Sequence, residues 1–354
     1  MSLFNTTTGW LTSALAAGSA IALAGRTLRE IGKLPLRDRV VIITGGSRGL
    51  GLVLAHAFGQ RGACLALLAR NPQELEHAAE ELRAANIPVL PLVCDVRDQK
   101  TVQQSIEQVI MHYGRIDVLV NNAGVIQVGP LDHMSTEDFE QAMAVHFWGP
   151  LYTTQAALPY LRSRGGGRIV NISSIGGLVA VPHLLPYSAS KFALSGLSDG
   201  LRAELASDNI RVTSVYPGLM RTGSHLNALF KGQHEAEFAW FAISNAMPFL
   251  STDAPTAARQ IVEACQRGDP QLIITPQANL LHLTQTLMPD LFALATEIAS
   301  RMLPGATGAI GDVLKMGWGS QSRWAPSVLT VLADKATEQF NGAVGRTTRT
   351  TEVL

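Results

Sequence analysis

The sequence predicts an α/β protein with a doubly wound, mostly parallel seven-stranded sheet covered by helices on both faces. Three observations lead there. Short, nearly continuous apolar runs recur from Arg39 to about Thr275; helix-length segments separate them; and the first run feeds directly into a glycine-rich turn.

The strands are expected at Val40–Thr44, Cys64–Ala69, Val89–Val93, Val118–Val120, Arg168–Ile172, Arg211–Val215 and Leu272–Thr275. Helical patterns at Glu74–Ala85, Val102–Tyr113, Thr136–Arg162 and Ser188–Ala206 lie between them. Strands that are apolar along their whole length must be buried on both faces, which parallel sheets under crossover helices achieve. Ligands of such folds sit at the carboxyl ends of the strands.

Residues 37–275 hold this unit, between an apolar extension at 1–36 and a helical one at 276–354. Residues 1–25 carry no charged side chain, and no basic stretch precedes the apolar run, which argues against a cleaved secretory signal. Basic residues follow from Arg26 onward, so residues 10–28 could anchor a cytoplasmic protein to a membrane, or form a helix packed on this chain or a second subunit. In the C-terminal extension, Asn279–Leu303 is an apolar helical pattern interrupted at Pro289. Its Leu280, Leu283, Leu287, Leu291, Leu294 and Ile298 make a face that packing on the core or a second subunit would bury, with a membrane as the alternative. Pro326–Phe340 is a last helix candidate, and Asn341–Leu354 reads as a disordered tail.

Composition narrows the function. Lys+Arg and Asp+Glu balance at 28 each, so no basic excess points to nucleic acid. Cys64, Cys94 and Cys265 lack the close pairing of metal ligands or a disulfide framework and read as reduced core thiols; no metal site is expected.

Two motifs carry chemistry. After the first strand, Gly45, Gly49 and Gly51, with Ser47, Arg48 and Leu50 between them, would let the backbone turn tightly and present helix N-terminal amides to a pyrophosphate. At the end of the second strand Ala69 occupies the place of the acid that would hold the ribose hydroxyls of NAD. Arg70 and Arg48 could instead pair with a 2′-phosphate, which favours NADP(H) over NAD(H). The second motif is Tyr187 with Lys191, four residues apart and on one face if helical. Alone, such a pair is more often an aromatic beside a solvated charge. With a dinucleotide nearby it becomes a proton donor and the cation that stabilises its phenolate.

Taken together, Thr44 to Gly51, Asp95-Val96, Asn121 to Gly124, Ser174 thirteen residues before Tyr187, Lys191, and Pro217-Gly218 with Thr222 resemble the short-chain dehydrogenase/reductase family. The resemblance implies a Rossmann-like fold over roughly residues 37–275 and an NADP-dependent oxidoreductase. Tyr187 would be general acid or base, Lys191 would hold the nicotinamide ribose and lower the phenol's pKa, and Ser174 rather than Ser173 would bind the substrate carbonyl. Asp95 would contact the adenine, with Val96 beside it. Asn122, Ala123 and Gly124 would border the cofactor, as would Ile172, while Pro217, Gly218 and Thr222 would line its nicotinamide end.

One departure stands out, because His146 occupies the place where the family usually carries an asparagine behind the lysine. It could sustain a proton relay and titrate near pH ~6.5, or merely fill the same space. The family's substrate lid falls at 219–252, where Leu226, Leu229, Phe230, Phe238, Trp240, Phe241, Met247 and Phe249 suit a lipophilic carbonyl or alcohol. Leu178, Val179 and Leu184 point the same way. Members commonly form homodimers or tetramers. The competing readings are a membrane-associated lipid, steroid or 3-oxoacyl reductase, and a dinucleotide-binding regulatory protein with impaired catalysis.

Overall fold

The computed structural model describes residues 24–247, 251–322, 325, 330, 336, 337, 339 and 340. Phe249, most of the apolar run at 10–28, most of Pro326–Phe340 and the tail from Asn341 lie outside the described residues.

The central sheet comprises β1 (Val40–Thr44), β2 (Cys64–Ala69), β3 (Val89–Val93), β4 (Val118–Asn121), β5 (Gly167–Ile172), β6 (Ile210–Pro217) and β7 (Gln271–Ile274). All seven are parallel, in the spatial order β3-β2-β1-β4-β5-β6-β7. The order reverses between β1 and β4, and the crevice beyond that switch point is the ligand position of doubly wound folds.

Alternation along each strand supplies two cores. Val41 and Ile43 of β1, Leu65 and Leu67 of β2 and Val118 and Val120 of β4 face one layer, made with α1 (Gly49–Gly59), α2 (Pro72–Ala84) and, further along the chain, Ala254–Arg267. Val40 and Ile42, Ala66 and Leu68, and Leu119 face the other, packed by α3 (Gln99–Tyr113) and the helix through 149–163. These strands are buried on both sides, which is why they read as unbroken apolar runs.

The long helical pattern at 136–162 is α4 (Thr136–Met143) and α5 (Gly149–Ser163) joined by a π-helical turn, Ala144–Trp148. The turn contains His146, and such turns often mark functional sites. Next come α6 (Leu185–Glu204), α7 (His234–Ala246), α8 (Ala254–Arg267), α9 (Pro276–Leu287) and α10 (Pro289–Met302). The break at Pro289 is where expected, and α9 and α10 fold against each other. Leu280, Leu283, Leu287, Leu291, Leu294 and Ile298 remain about half or more exposed, so the described chain does not bury this face. Among the described residues no helix is long and apolar enough to cross a membrane.

A small second sheet joins distant parts of the chain: Gln127–Val128 pairs with Leu229–Phe230, which pairs with Lys315–Met316. This brings the C-terminal extension onto the lid, beside the mouth of the crevice.

Candidate active site

At the carboxyl ends of the strands lies a cavity of about 830 Å³. Every residue the sequence reading assigned to catalysis or cofactor lines it.

Its floor is the turn from β1 into α1. Gly45 has φ +65°, and a Cβ there would stand 2.9 Å from the Ala123 Cα; a Cβ on Gly51 would stand 2.0 Å from the Gly45 carbonyl oxygen. No larger residue fits either position. The turn is stapled to the segment after β4, because Thr44 Oγ1 accepts the N–H of Asn122 at 2.9 Å and of Ala123 at 3.0 Å. In return, Asn122 Nδ2 donates to the carbonyls of Thr44 and Gly45 at 3.0 and 3.2 Å. Asn122 is thus a brace for the cradle. One feature was not foreseen: the Gly49 amide, first of α1, donates to the Phe340 carbonyl at 2.9 Å.

At the far end, Arg70 is exposed and its guanidinium has no hydrogen-bond or ion-pair partner among the described residues. Arg48 differs from the expectation of a second phosphate clamp. Its Nη1 lies 3.0 Å from both carboxylate oxygens of Glu74, which is 1% exposed and also within 3.5 Å of Ser47 Oγ. Glu74 is held there because Asn71 caps α2 by accepting the Glu74 N–H at 2.9 Å. The sequence reading missed Glu74; an acid in the first turn of a capped helix was the available signal. Asp95 is held by Arg97 Nε at 3.1 and 3.0 Å from its two oxygens.

The chemistry-bearing side chains converge beneath α6. Tyr187 lies in its first turn and Lys191 one turn later. Lys191 Nζ donates to the Ile172 carbonyl at 2.8 Å and sits 5.7 Å from the centre of the Tyr187 ring. Ser174 accepts the Gly176 N–H at 3.1 Å and hydrogen-bonds the Tyr187 hydroxyl. Ser173 instead points into the core, 3.1 Å from the Lys191 carbonyl and 3.2 Å from Ser195 Oγ. It lines the cavity, but its hydroxyl is engaged in tying β5 to α6.

Electrostatics differ from the expectation that Lys191 lowers the phenol's pKa. Burial pushes the Tyr187 phenol above its ordinary value, and the bond with Ser174 only partly offsets this. Burial also pushes Lys191 down to about 7. Desolvation outweighs pairing because both charged forms are removed from water.

His146 does not titrate near 6.5. Burial first, then the Lys191 charge, push it well below that value. Its Nε2 accepts the Val125 N–H at 3.1 Å, so the neutral ring carries its proton on Nδ1 and donates to Ser190 Oγ at 2.7 Å. Both nitrogens are engaged, and the ring meets Tyr187 edge-on with centroids 5.5 Å apart. The geometry is that of a neutral brace between the β4 loop and α6.

Only part of the lid faces the cavity. Leu229, Trp240 and Phe241 line it, as does Leu184, whereas Leu226, Phe230 and Phe238 pack into the lid's own core, Met247 is exposed, and Leu178 and Val179 do not reach the cavity. Ile126, Val181, Leu314 and Met316 complete the apolar wall. The last two come from the C-terminal extension, which the small sheet and the His133–Asp312 contact hold against the cavity.

The family profile described as short chain dehydrogenase matches residues 39–229. The chain is 36% identical over 248 residues to a dehydrogenase/reductase SDR family protein 7-like of Anopheles gambiae, covering 69% of this chain and 77% of that one. It is 35% identical over 266 residues to 11-beta-hydroxysteroid dehydrogenase 1A of Arabidopsis thaliana, covering 72% and 74%. Among solved structures it resembles L-sorbose reductase from Gluconobacter frateurii, complexed with NADPH and L-sorbose, at 26% identity and TM-score 0.61, covering 67% of this chain and 95% of that one.

Proposed function

The chain belongs to the short chain dehydrogenase family, and from that premise we propose that it is an NADP(H)-dependent reductase of a lipophilic ketone, or dehydrogenase of the matching secondary alcohol. The observation that carries this reading is the convergence of Ser174, Tyr187 and Lys191 in a cavity that runs from the glycine turn to an apolar wall.

A dinucleotide fits the residues present. The left-handed Gly45 and the close approach at Gly51 bring helix N-terminal amides to the cavity floor, and Arg70 offers an exposed guanidinium where a 2′-phosphate would be read. Gly45, Ser47, Gly49, Leu50, Gly51, Asn122, Ala123 and Gly124 would hold the pyrophosphate half. Ile172, Lys191, Pro217, Gly218 and Thr222 would hold the nicotinamide half. Bound there, the nicotinamide supplies or accepts the hydride.

The protein's own residues handle the oxygen and its proton. Charge develops on the carbonyl oxygen as hydride arrives, and Ser174 Oγ and the Tyr187 hydroxyl are the donors that meet it. Tyr187 gives up its proton, and the buried ammonium of Lys191 stabilises the phenolate left behind. Leu229, Trp240 and Phe241 exclude water and receive the apolar body of the substrate. A steroid or acyl-chain substrate is favoured by this wall and by the hydroxysteroid dehydrogenase relative. The exposed leucine face of α9 and α10 supports a homo-oligomer, and the apolar stretch at 10–28 supports a cytoplasmic enzyme held at a membrane.

The test is consumption of NADPH and of NADH with a panel of steroid, acyl and aromatic ketones. Turnover with NADPH and an apolar ketone is expected. Inertness toward the whole panel, despite NADPH binding, would instead favour the regulatory reading.

A further inference from the structure

Far from the crevice, at the amino ends of the strands, a second cavity of about 630 Å³ opens between the helical segment 24–31 and the sheet. Its walls are Gly25 to Pro35 on one side and the glycine turn 165–167 on the other. Gly165 and Gly166 have φ +75° and +129°, and this conformation keeps the turn free of side chains.

The charge of the cavity is unlike that of the protein as a whole. The chain balances 28 cations against 28 acids, yet seven of the lining residues are Lys or Arg and one, Asp117, is acidic. Asp117 is already shared between Arg39 at 2.9 Å and Arg115 at 2.5 Å. Asp269, just outside, is likewise shared between Arg29 at 3.2 Å and Arg267 at 2.7 Å. Lys33 pairs with Glu30, and Arg267 also faces Glu263 at 3.8 Å.

Two guanidiniums are left over. Arg164 and Arg211 are exposed and have no hydrogen-bond or ion-pair partner among the described residues. Arg168 and the neighbouring Arg202 are satisfied only by carbonyls: Arg168 by those of Cys265, Gln266 and Gly167, and Arg202 by those of Val212 and Gly268. Arg168 and Arg211 flank one spot, since a Cβ on Gly268 would stand 3.0 Å from the Arg211 Cβ and 3.3 Å from Arg168 Nε. Burial first, then Arg211, hold Arg168 below its ordinary range, and burial with Arg211, Arg29 and Arg168 does the same to Arg202, with Asp269 offsetting part of it. The cations therefore work against one another. Residues 1–25, which lead into this wall, contain no carboxylate that could relieve them.

We propose that this cleft is a second ligand site, separate from the dinucleotide crevice, that binds a phosphate-bearing anion between Arg164 and Arg211. Planar guanidiniums present paired donors to phosphate oxygens, and a dianion would remove the mutual repulsion that the carbonyl-bound Arg168 and Arg202 leave standing. The phosphate could be that of a soluble ester or of a lipid headgroup, and the chemistry of recognition is the same.

The test uses the full chain saturated with NADP, so that the crevice is not available to the probe. Binding of inorganic pyrophosphate is measured by calorimetry, and binding to phosphatidylcholine vesicles with and without phosphatidic acid by co-flotation. The parent is expected to bind at least one probe and to lose about tenfold or more in affinity as the exposed double variant Arg164→Gln, Arg211→Gln, with Arg164→Lys, Arg211→Lys retaining most of it. Pyrophosphate binding assigns a soluble ester, and binding confined to the phosphatidic acid vesicles assigns a headgroup. The proposal is overturned if the parent binds neither probe, or if the Gln variant binds as the parent does. NADPH affinity is expected to be equal in all three proteins, so a failure here is distinct from a failure at the catalytic site.

Discussion

The fully buried carboxylate of Glu237, in the lid helix α7, receives His183 Nδ1 at 2.8 Å from the turn between Ser174 and Tyr187. Its second oxygen accepts the Trp240 indole N–H at 2.6 Å. One acid thus joins α7 to the segment between Ser174 and Tyr187 and aims Trp240, a wall residue, at the cavity. His183 holds a left-handed conformation, φ +61°, to reach it.

From this it follows that Glu237→Ala leaves two partly buried donors, His183 Nδ1 and the Trp240 indole, without their shared acceptor and loosens Trp240. The KM for an apolar ketone should rise about tenfold while the NADPH dissociation constant is unchanged. Steady-state kinetics beside cofactor titration measures the split, and equal loss in both would refute a lid-specific role.

Tyr187→Phe removes the proton donor but keeps the ring against His146 and Lys191. Turnover should fall by about 10²–10⁴-fold, with NADPH binding retained. A variant as active as the parent would remove Tyr187 from the mechanism.

At the adenosine end, Arg70→Ala should cost about tenfold in NADPH affinity and leave NADH unaffected. Glu74→Gln should act oppositely, because it takes away the carboxylate charge that competes with a 2′-phosphate for Arg48. The ratio of NADPH to NADH dissociation constants reports both, and a ratio that moves in neither variant would exclude the clamp.

Lys191 brings a pH dependence whose sign is set by its depressed pKa, from 10.5 to about 7. Between those values the unfolded chain binds a proton that the folded chain does not, so stability rises with pH across this window. The penalty of burying the ammonium is felt in full below about pH 7. Denaturant unfolding at about pH 6.5 and pH 9 should show the parent gaining stability relative to Lys191→Met, and parallel profiles would refute it. Ketone reduction should decline as pH passes about 7 and the ammonium is lost.

The Gly49 amide, expected at the pyrophosphate, is bonded to the Phe340 carbonyl, and the Phe340 ring packs on the core of the α1 face. Phe340→Ala should release that amide and tighten NADPH binding about fivefold, the worth of one neutral hydrogen bond. Weaker binding would show that the contact supports the cradle.

How much of this was legible depended on whether the signal was local. Each central strand falls within about two residues of its expected position, because burial on both faces leaves a continuous apolar run that needs no partner to be read. Gly45, Gly51, Ser174, Tyr187 and Lys191 could be found for a similar reason: backbone strain and reactive side chains restrict a position to few residue types. The identity of His146 was plain, but its protonation was not. That depends on Val125 and Ser190, which approach from 21 and 44 residues away, and on burial that no local pattern records.

The sequence by itself determined the sheet, the glycine cradle and the set of groups that meet in the crevice, since propensity, periodicity and spacing act over a few residues. Tertiary structure decided how those groups are charged and what surrounds them. Arg48 became the partner of Glu74, Leu314 and Met316 became cavity wall, and a chain with no net charge gathered seven cations around one cleft. Desolvation and Coulomb interactions depend on distance through space, and that distance exists only once the chain has folded.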